Sequence, residues 1–163
     1  MSVTVHYLFS KRSGSFFSWA ISKGTQLAVE FPFSDCPSHT AILINDRWVV
    51  ESTFFDGFKV MPYDKWQDKN TQIAKTPYAN TKTMAEIKAL FRPLKGKKYD
   101  WLGVTYLAWR YFLKVFFLLP VPAQNKWHDP KKFFCCEVVA KMTQLNYEMT
   151  SPGQVMLSLL EKE

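Results

Sequence analysis

Apolar and polar residues alternate along VTVHYLF (residues 3–9), and that period of two predicts a first β-strand. Two further β-rich runs, HTAILI (39–44) and RWVVEST (47–53), flank Asn45-Asp46 and predict a hairpin. FKVMPY (58–63) predicts another short strand, and YDKWQDKN (63–70) and TPYANTKT (76–83) read as loops or turns around a short strand near Ile73. SGSFFSWAISKG (13–24) predicts a short helix with Gly24 as its C-cap, followed by an irregular run over 27–38. KTMAEIKALFRPLKG (82–96) predicts a helix broken near Pro93, opened by Thr83 and Glu86 as a capping box. Residues 100–122 are nearly all apolar and predict a helix ended by Pro120 and Pro122. A Pro-rich connection (120–130) leads into KKFFCCEVVAKM (131–142), where a helix starts at or near the adjacent cysteines, and SPGQVMLSLLEKE (151–163) closes the chain. Helices packed on a small antiparallel sheet make an α+β fold, and residues 1–163 suit a single domain.

Composition narrows the function classes. Aromatics make up 17 % of the chain, with 14 Phe, which serves either a dense core or an apolar site. The formal charge of +7 suits an anionic partner such as a phospholipid surface or a cell-wall polymer, and an ordinary basic surface equally well. No long Lys/Arg run and no zinc-finger or RNP-type motif occurs, so nucleic acid is not an expected partner. Three cysteines are too few and too odd in number for a disulfide framework, which makes a reducing compartment the default. MSVTVHYLFSKRSGS lacks the features of a secretory signal, so the expected location is cytoplasmic, with the mature chain starting there. Association with a membrane or a virion is the alternative, and a bacterium or a phage the expected source. Within the apolar stretch, Arg110 and Lys114 lie one helical turn apart. Central charges cost ~3 kcal/mol each in a membrane span. The stretch therefore reads as an amphipathic helix lying on the core or at a membrane interface.

The chemistry centres on Cys135 and Cys136. A thiol attacks as the thiolate, and a helix N-terminus with nearby cations lowers its pKa. The adjacent pair sits at such a start, behind Lys131 and Lys132, and reads either as a nucleophile with its neighbour or as two small core residues. A base must come from His6, His39 or His128. His6 lies in the first strand and His128 in the irregular approach, where a half-buried and a surface histidine are the plain readings. His39 opens a strand, which holds a side chain rigidly at the rim of a site. Glu51 lies twelve residues later, across the hairpin. A two-residue turn would set His39 opposite Ser52 and Glu51 on the other face. A three-residue loop over Asn45, Asp46 and Arg47 would pair Ile44 with Trp48 and bring His39 and Glu51 to one face. Cys36 and His39, a C-x-x-H pair, could instead join the adjacent cysteines at zinc, although neighbouring cysteines diverge and suit zinc poorly.

SHTAILINDRWVVEST resembles the histidine hairpin of the NlpC/P60 superfamily, whose members have a papain-like fold. The chain order His39, Glu51, Cys135 is similar to the circularly permuted branch, which includes YiiX-like proteins and lecithin:retinol acyltransferase relatives. FCCEVV resembles the (Y/F)-C-S-E-L-V motif of the YiiX-like group, with Cys136 where Ser is usual. GKKYDWLG and TSPGQV resemble that group's G-x-x-Y-D and S-P-x-x-(L/V) segments. The resemblance implies a permuted papain-like fold and a cysteine hydrolase, amidase or peptidase in type, or a thioester or ester hydrolase. It implies Cys135 as nucleophile, His39 as base and Glu51 as its orienting carboxylate, with no cofactor and no metal. Tyr99 either approaches the substrate or is a core tyrosine, and Glu137 reads as structural, pairing with a lysine. The implied partner is a peptide, cell-wall or acylated or lipidated substrate. A lipid acyltransferase-like enzyme and a catalytically silent membrane-surface binding protein are the alternatives.

Overall fold

The structure, a computed structural model, describes residues 3–12, 16–29, 35–122, 124–129, 131–143 and 150–160. Its sheet has five antiparallel strands: β1 (Val5–Arg12), β2 (His39–Ile44), β3 (Trp48–Thr53), β4 (Gly57–Pro62) and β5 (Asn70–Tyr78), in the order β4-β3-β2-β1-β5. Around it lie α1 (Phe16–Val29), α2 (Tyr63–Gln67), α3 (Met84–Phe91), α4 (Trp101–Phe117), α5 (Cys135–Thr143) and α6 (Pro152–Leu160). The α+β expectation holds in this architecture.

The central strands are buried on both faces, and their period-two pattern sorts the core. Tyr7, Phe9, Ile42, Ile44 and Val50 point to the face covered by α5, where Val138, Val139 and Met142 complete the main core. Leu8, Ala41, Leu43 and Val49 point to the opposite face, where Trp66 of α2 covers them. The β2–β3 connection is the three-residue loop: Ile44 pairs with Trp48 and Leu43 with Val49. Asn45 and Asp46 both take positive φ there (50° and 52°), a conformation these two residue types tolerate better than most. That register places His39 and Glu51 on the same face as Trp66.

Several boundaries differ from the sequence reading. Helix α1 continues to Val29, so Gly24 lies inside it rather than at its C-cap; a Gly at one helical position costs only ~1 kcal/mol. The start of that predicted helix (13–15) and most of the irregular run after it (30–34) lie outside the described residues. Residues 63–78 are not loops around a short strand. They form α2 and the nine-residue β5. Strand β5 is at the sheet edge, where Lys75, Pro77 and the threonines blur the alternation and a proline costs no ladder bond. Helix α3 has the expected capping box and gives way to a 3₁₀ turn at Arg92–Leu94. Helix α4 ends on Leu118 in the left-handed region (φ 55°), two residues before Pro120. Arg110 and Lys114 do not form one solvent-facing stripe: Lys114 is exposed, but Arg110 folds back to donate to the Pro120 carbonyl (2.7 Å).

Candidate active site

Helix α5 begins at Cys135, and three contacts hold its first turn over β2 and β3. Phe133 and Tyr99 form a parallel bridge, with Phe133 N–H donating to the Lys98 carbonyl (3.2 Å). Ser52 Oγ of β3 donates to the Phe133 carbonyl (2.7 Å). Glu137 accepts the Phe134 N–H (2.9 Å), closing the turn on itself. The segment carrying Tyr99 is pinned in turn by Gly57, whose φ of +65° excludes most side chains and where an added Cβ would lie 2.3 Å from the Lys97 carbonyl oxygen.

His39 is the first residue of β2. Its Nε2 sits 2.7 Å from Glu51 Oε2, and the Cys135 thiol stands beside the imidazole, close enough to shift its titration. Glu51, only 2 % exposed, is a carboxylate with three partners. Besides His39, it accepts Trp66 Nε1–H (2.9 Å) and pairs with Lys59 Nζ (3.2 Å), its cross-strand neighbour on β4. A buried carboxylate needs such partners to remain charged.

Charge in the site is set by competition. Burial opposes protonation of His39, but its bonds to Cys135 and Glu51 outweigh burial and push the imidazole up to about 10. Burial likewise favours the neutral acid at Glu51, and His39, Lys59 and Trp66 overcome it and hold the carboxyl at about 2. The Cys135 thiol is held well below its ordinary value by a hydrogen bond from Cys136, against burial, and then by His39 and the Thr40 N–H. Cys136 goes the other way, raised well above the ordinary thiol value by burial and by its neighbour's charge. The neighbouring thiols are thus driven in opposite directions, Cys135 toward the thiolate and Cys136 toward the neutral thiol. Burial also raises Cys36, to about 11.

The other candidates sort as follows. Tyr99 lines the space in front of Cys135, and burial raises its hydroxyl well above the usual value. His6 stands 3.6 Å from the Asp46 carboxylate, away from Cys135. His128 is not the surface histidine expected. It bridges Asp100 Oδ2 (3.1 Å) and Glu137 Oε1 (3.3 Å), so a histidine stands where a lysine was expected to pair with Glu137. The zinc set of Cys36, His39 and the adjacent cysteines does not assemble among the described residues. The potential ligand cluster there is Asp100, His128 and Glu137, with ligand atoms within 4.8 Å of one another. The carboxylates already serve the backbone: Asp100 caps α4 by accepting Gly103 N–H and also accepts Asp129 N–H, and Glu137 accepts Phe134 N–H at the start of α5. Sequence reasoning did not find Trp66 or Lys59. Lys59 is recoverable once the β3–β4 register is known, since Glu51 faces it directly.

Two cavities open from this point. One of about 390 Å³ is walled by His39, Glu51, Lys59 and Tyr99, and one of about 280 Å³ lies between α1 and α4. Helix α4 lines both. Its outer face is unusually apolar, with Trp109 50 %, Phe116 66 % and Phe117 62 % exposed. Among the described residues, no helix is long and apolar enough to cross a membrane. Compared with models of protein families, with curated proteins and with solved structures, the chain matches none.

Proposed function

We propose that this protein is a cysteine hydrolase of circularly permuted papain-like design, working through a thioester acyl-enzyme with Cys135, His39 and Glu51. The observation that carries the reading is the single imidazole that bonds the buried Glu51 carboxylate (2.7 Å) and stands beside the Cys135 thiol. The chain order of the three residues and the seating of α5 on an antiparallel sheet support the permuted NlpC/P60 resemblance.

In this mechanism the Cys135 thiolate attacks an acyl carbon, and the resulting oxyanion is held by the Cys135 backbone N–H at the helix start. His39 gives its proton to the departing nitrogen or oxygen, and the C–N or C–O bond breaks. Water then attacks the thioester while His39 takes its proton, and the C–S bond breaks to restore the thiolate. An acceptor other than water would make the same site an acyltransferase. Glu51 keeps the imidazole oriented and charged, and Trp66 and Lys59 keep Glu51 charged. Positioned proton transfer contributes about 10²–10⁴ in rate, which sets the expected loss in His39→Ala.

The test is chemical trapping. Incubation with an activated acyl ester followed by acid quench should leave a hydroxylamine-labile acyl group on Cys135, and none on Cys135→Ala. Acylation of another residue, or undiminished turnover by Cys135→Ala, would overturn the proposal. The exposed aromatics of α4 and the charge of +7 favour a second reading, a protein that binds anionic membrane surfaces without catalysis. Flotation with phosphatidylglycerol vesicles, together with no acyl-enzyme in the wild type, would favour it.

A further inference from the structure

The two cavities differ in chemistry: His39 lines one, and the candidate nucleophile Cys135 lines the other. They share Ile21, Ser38, Tyr99 and Val104. The larger presents Lys59, Lys69 and Asn70 beside His39 and Glu51. The smaller has Cys135 in its wall and, among the described residues that line it, no Asp, Glu, Lys, Arg or His. It runs from the buried Cys135, between Leu107 and Val115 of α4 and Ile21 of α1, out to the exposed Phe112 and Phe116.

We propose that the α1–α4 cavity is an acyl-chain site. The substrate is an amphiphile whose unbranched apolar chain lies between α1 and α4, with its carbonyl carbon at Cys135 and its polar leaving group in the cleft beside Lys59 and Lys69. This deepens the hydrolase reading and rests on Cys135 being the nucleophile. A peptide on the chain side would bury amides that need partners, at a cost of about 1–3 kcal/mol for each left unpaired. The wall offers few: the Ser38 hydroxyl is engaged by Ser18 and the Tyr111 hydroxyl by Gln154, which leaves, among the described residues, the buried Thr25 hydroxyl as a lining group without a partner, too little for a run of amides. A hydrocarbon chain needs none, and it gains from leaving water along its whole length. The bond-making is that of the parent mechanism: the S–C bond forms, the acyl C–O or C–N bond breaks, and the His39 proton leaves with the polar fragment.

The experiment is hydrolysis of p-nitrophenyl esters from acetate through octanoate to palmitate, all below micelle-forming concentrations. kcat/KM should rise by about fourfold per methylene until the cavity is full, the value for burying one CH₂. Gly24 lines this cavity, and a Cβ there would meet nothing within 4 Å, so Gly24→Leu fills space without backbone conflict. In that variant the octanoate-to-acetate ratio of kcat/KM should fall about tenfold or more. Ala108→Trp, which narrows the same cavity from α4, should act alike and serves if Gly24→Leu fails to fold. Acylation of Cys135 by every ester with equal kcat/KM, or an unchanged ratio in both variants, would overturn the acyl-chain site and leave the nucleophile standing. No acylation of Cys135 by any ester, acetate included, would overturn the hydrolase reading and this inference with it.

Discussion

Replacing Glu51 by Gln removes one charge and almost no volume, and its cost can be worked from the site. The carboxylate is 2 % exposed and is served by His39, Trp66 and Lys59. Those partners, acting against burial, hold it at about 2 where an unperturbed Glu would sit at 4.5. A depression of that size corresponds to about 3 kcal/mol favouring the folded state at neutral pH. Because the folded value lies below the unfolded one, the contribution is fully present above about 4.5 and is lost as the pH falls through about 2. Urea unfolding of Cys135→Ala and of the double variant Cys135→Ala, Glu51→Gln, a background that prevents thiol oxidation, measures the difference directly. The gap should be about 3 kcal/mol at neutral pH and should close as the pH approaches 2. A gap below about 1 kcal/mol, or one that is the same at both pH values, would refute the claim that a charged Glu51 is held by these three donors.

Trp66→Phe keeps an aromatic ring in α2 but deletes the N–H that reaches Glu51, a bond to a charged group worth about 1.5–3 kcal/mol. Acylation should slow, and the acid limb of its pH profile should move upward; a stability loss with an unmoved profile would make Trp66 a core residue only. The pH profile itself should be broad. His39 titrates above its ordinary 6.5, so the stability its protonated imidazole contributes is fully present below 6.5 and lost as pH rises through about 10, which sets the alkaline limb. The acid limb should lie well below the ordinary thiol value of 9.0, and a single rise near 9 would contradict the thiolate. Gly57→Ala should destabilise by more than about 1 kcal/mol, since the added Cβ meets the Lys97 carbonyl oxygen at 2.3 Å on a backbone with φ +65°. Denaturant midpoints check this, and an unchanged midpoint would show that the β3–β4 turn can move away from that segment.

How legible the fold was in the sequence depended on how strongly each pattern was written. The β2–β3 hairpin was readable because both strands are buried on both faces, and the parity of His39 and Glu51 reduced the question to one loop length. The capping box of α3 and the break at Pro93 were readable because their signals are local. Strand β5 was not, because an edge strand has no need to alternate. Trp66 escaped for a related reason: α2 is five residues long, too short for a helical period, and its value lies in one long-range hydrogen bond to Glu51. His128 looked like a surface residue because nothing in its neighbourhood announces Asp100, which is twenty-eight positions away. The residues alone did not separate Cys135 from Cys136, and only the FCCEVV resemblance pointed to Cys135, since the difference arises from the neighbours each thiol meets in the fold.

That difference is the most direct test of the central claim. Limited alkylation with iodoacetamide at mildly acidic pH, followed by peptide mapping, reads which thiol is ionised. The account predicts carboxamidomethylation of Cys135 alone, with Cys36 and Cys136 unmodified, and loss of that selective reaction in His39→Ala. Preferential modification of Cys136 or Cys36, or an unchanged rate at Cys135 without His39, would contradict it.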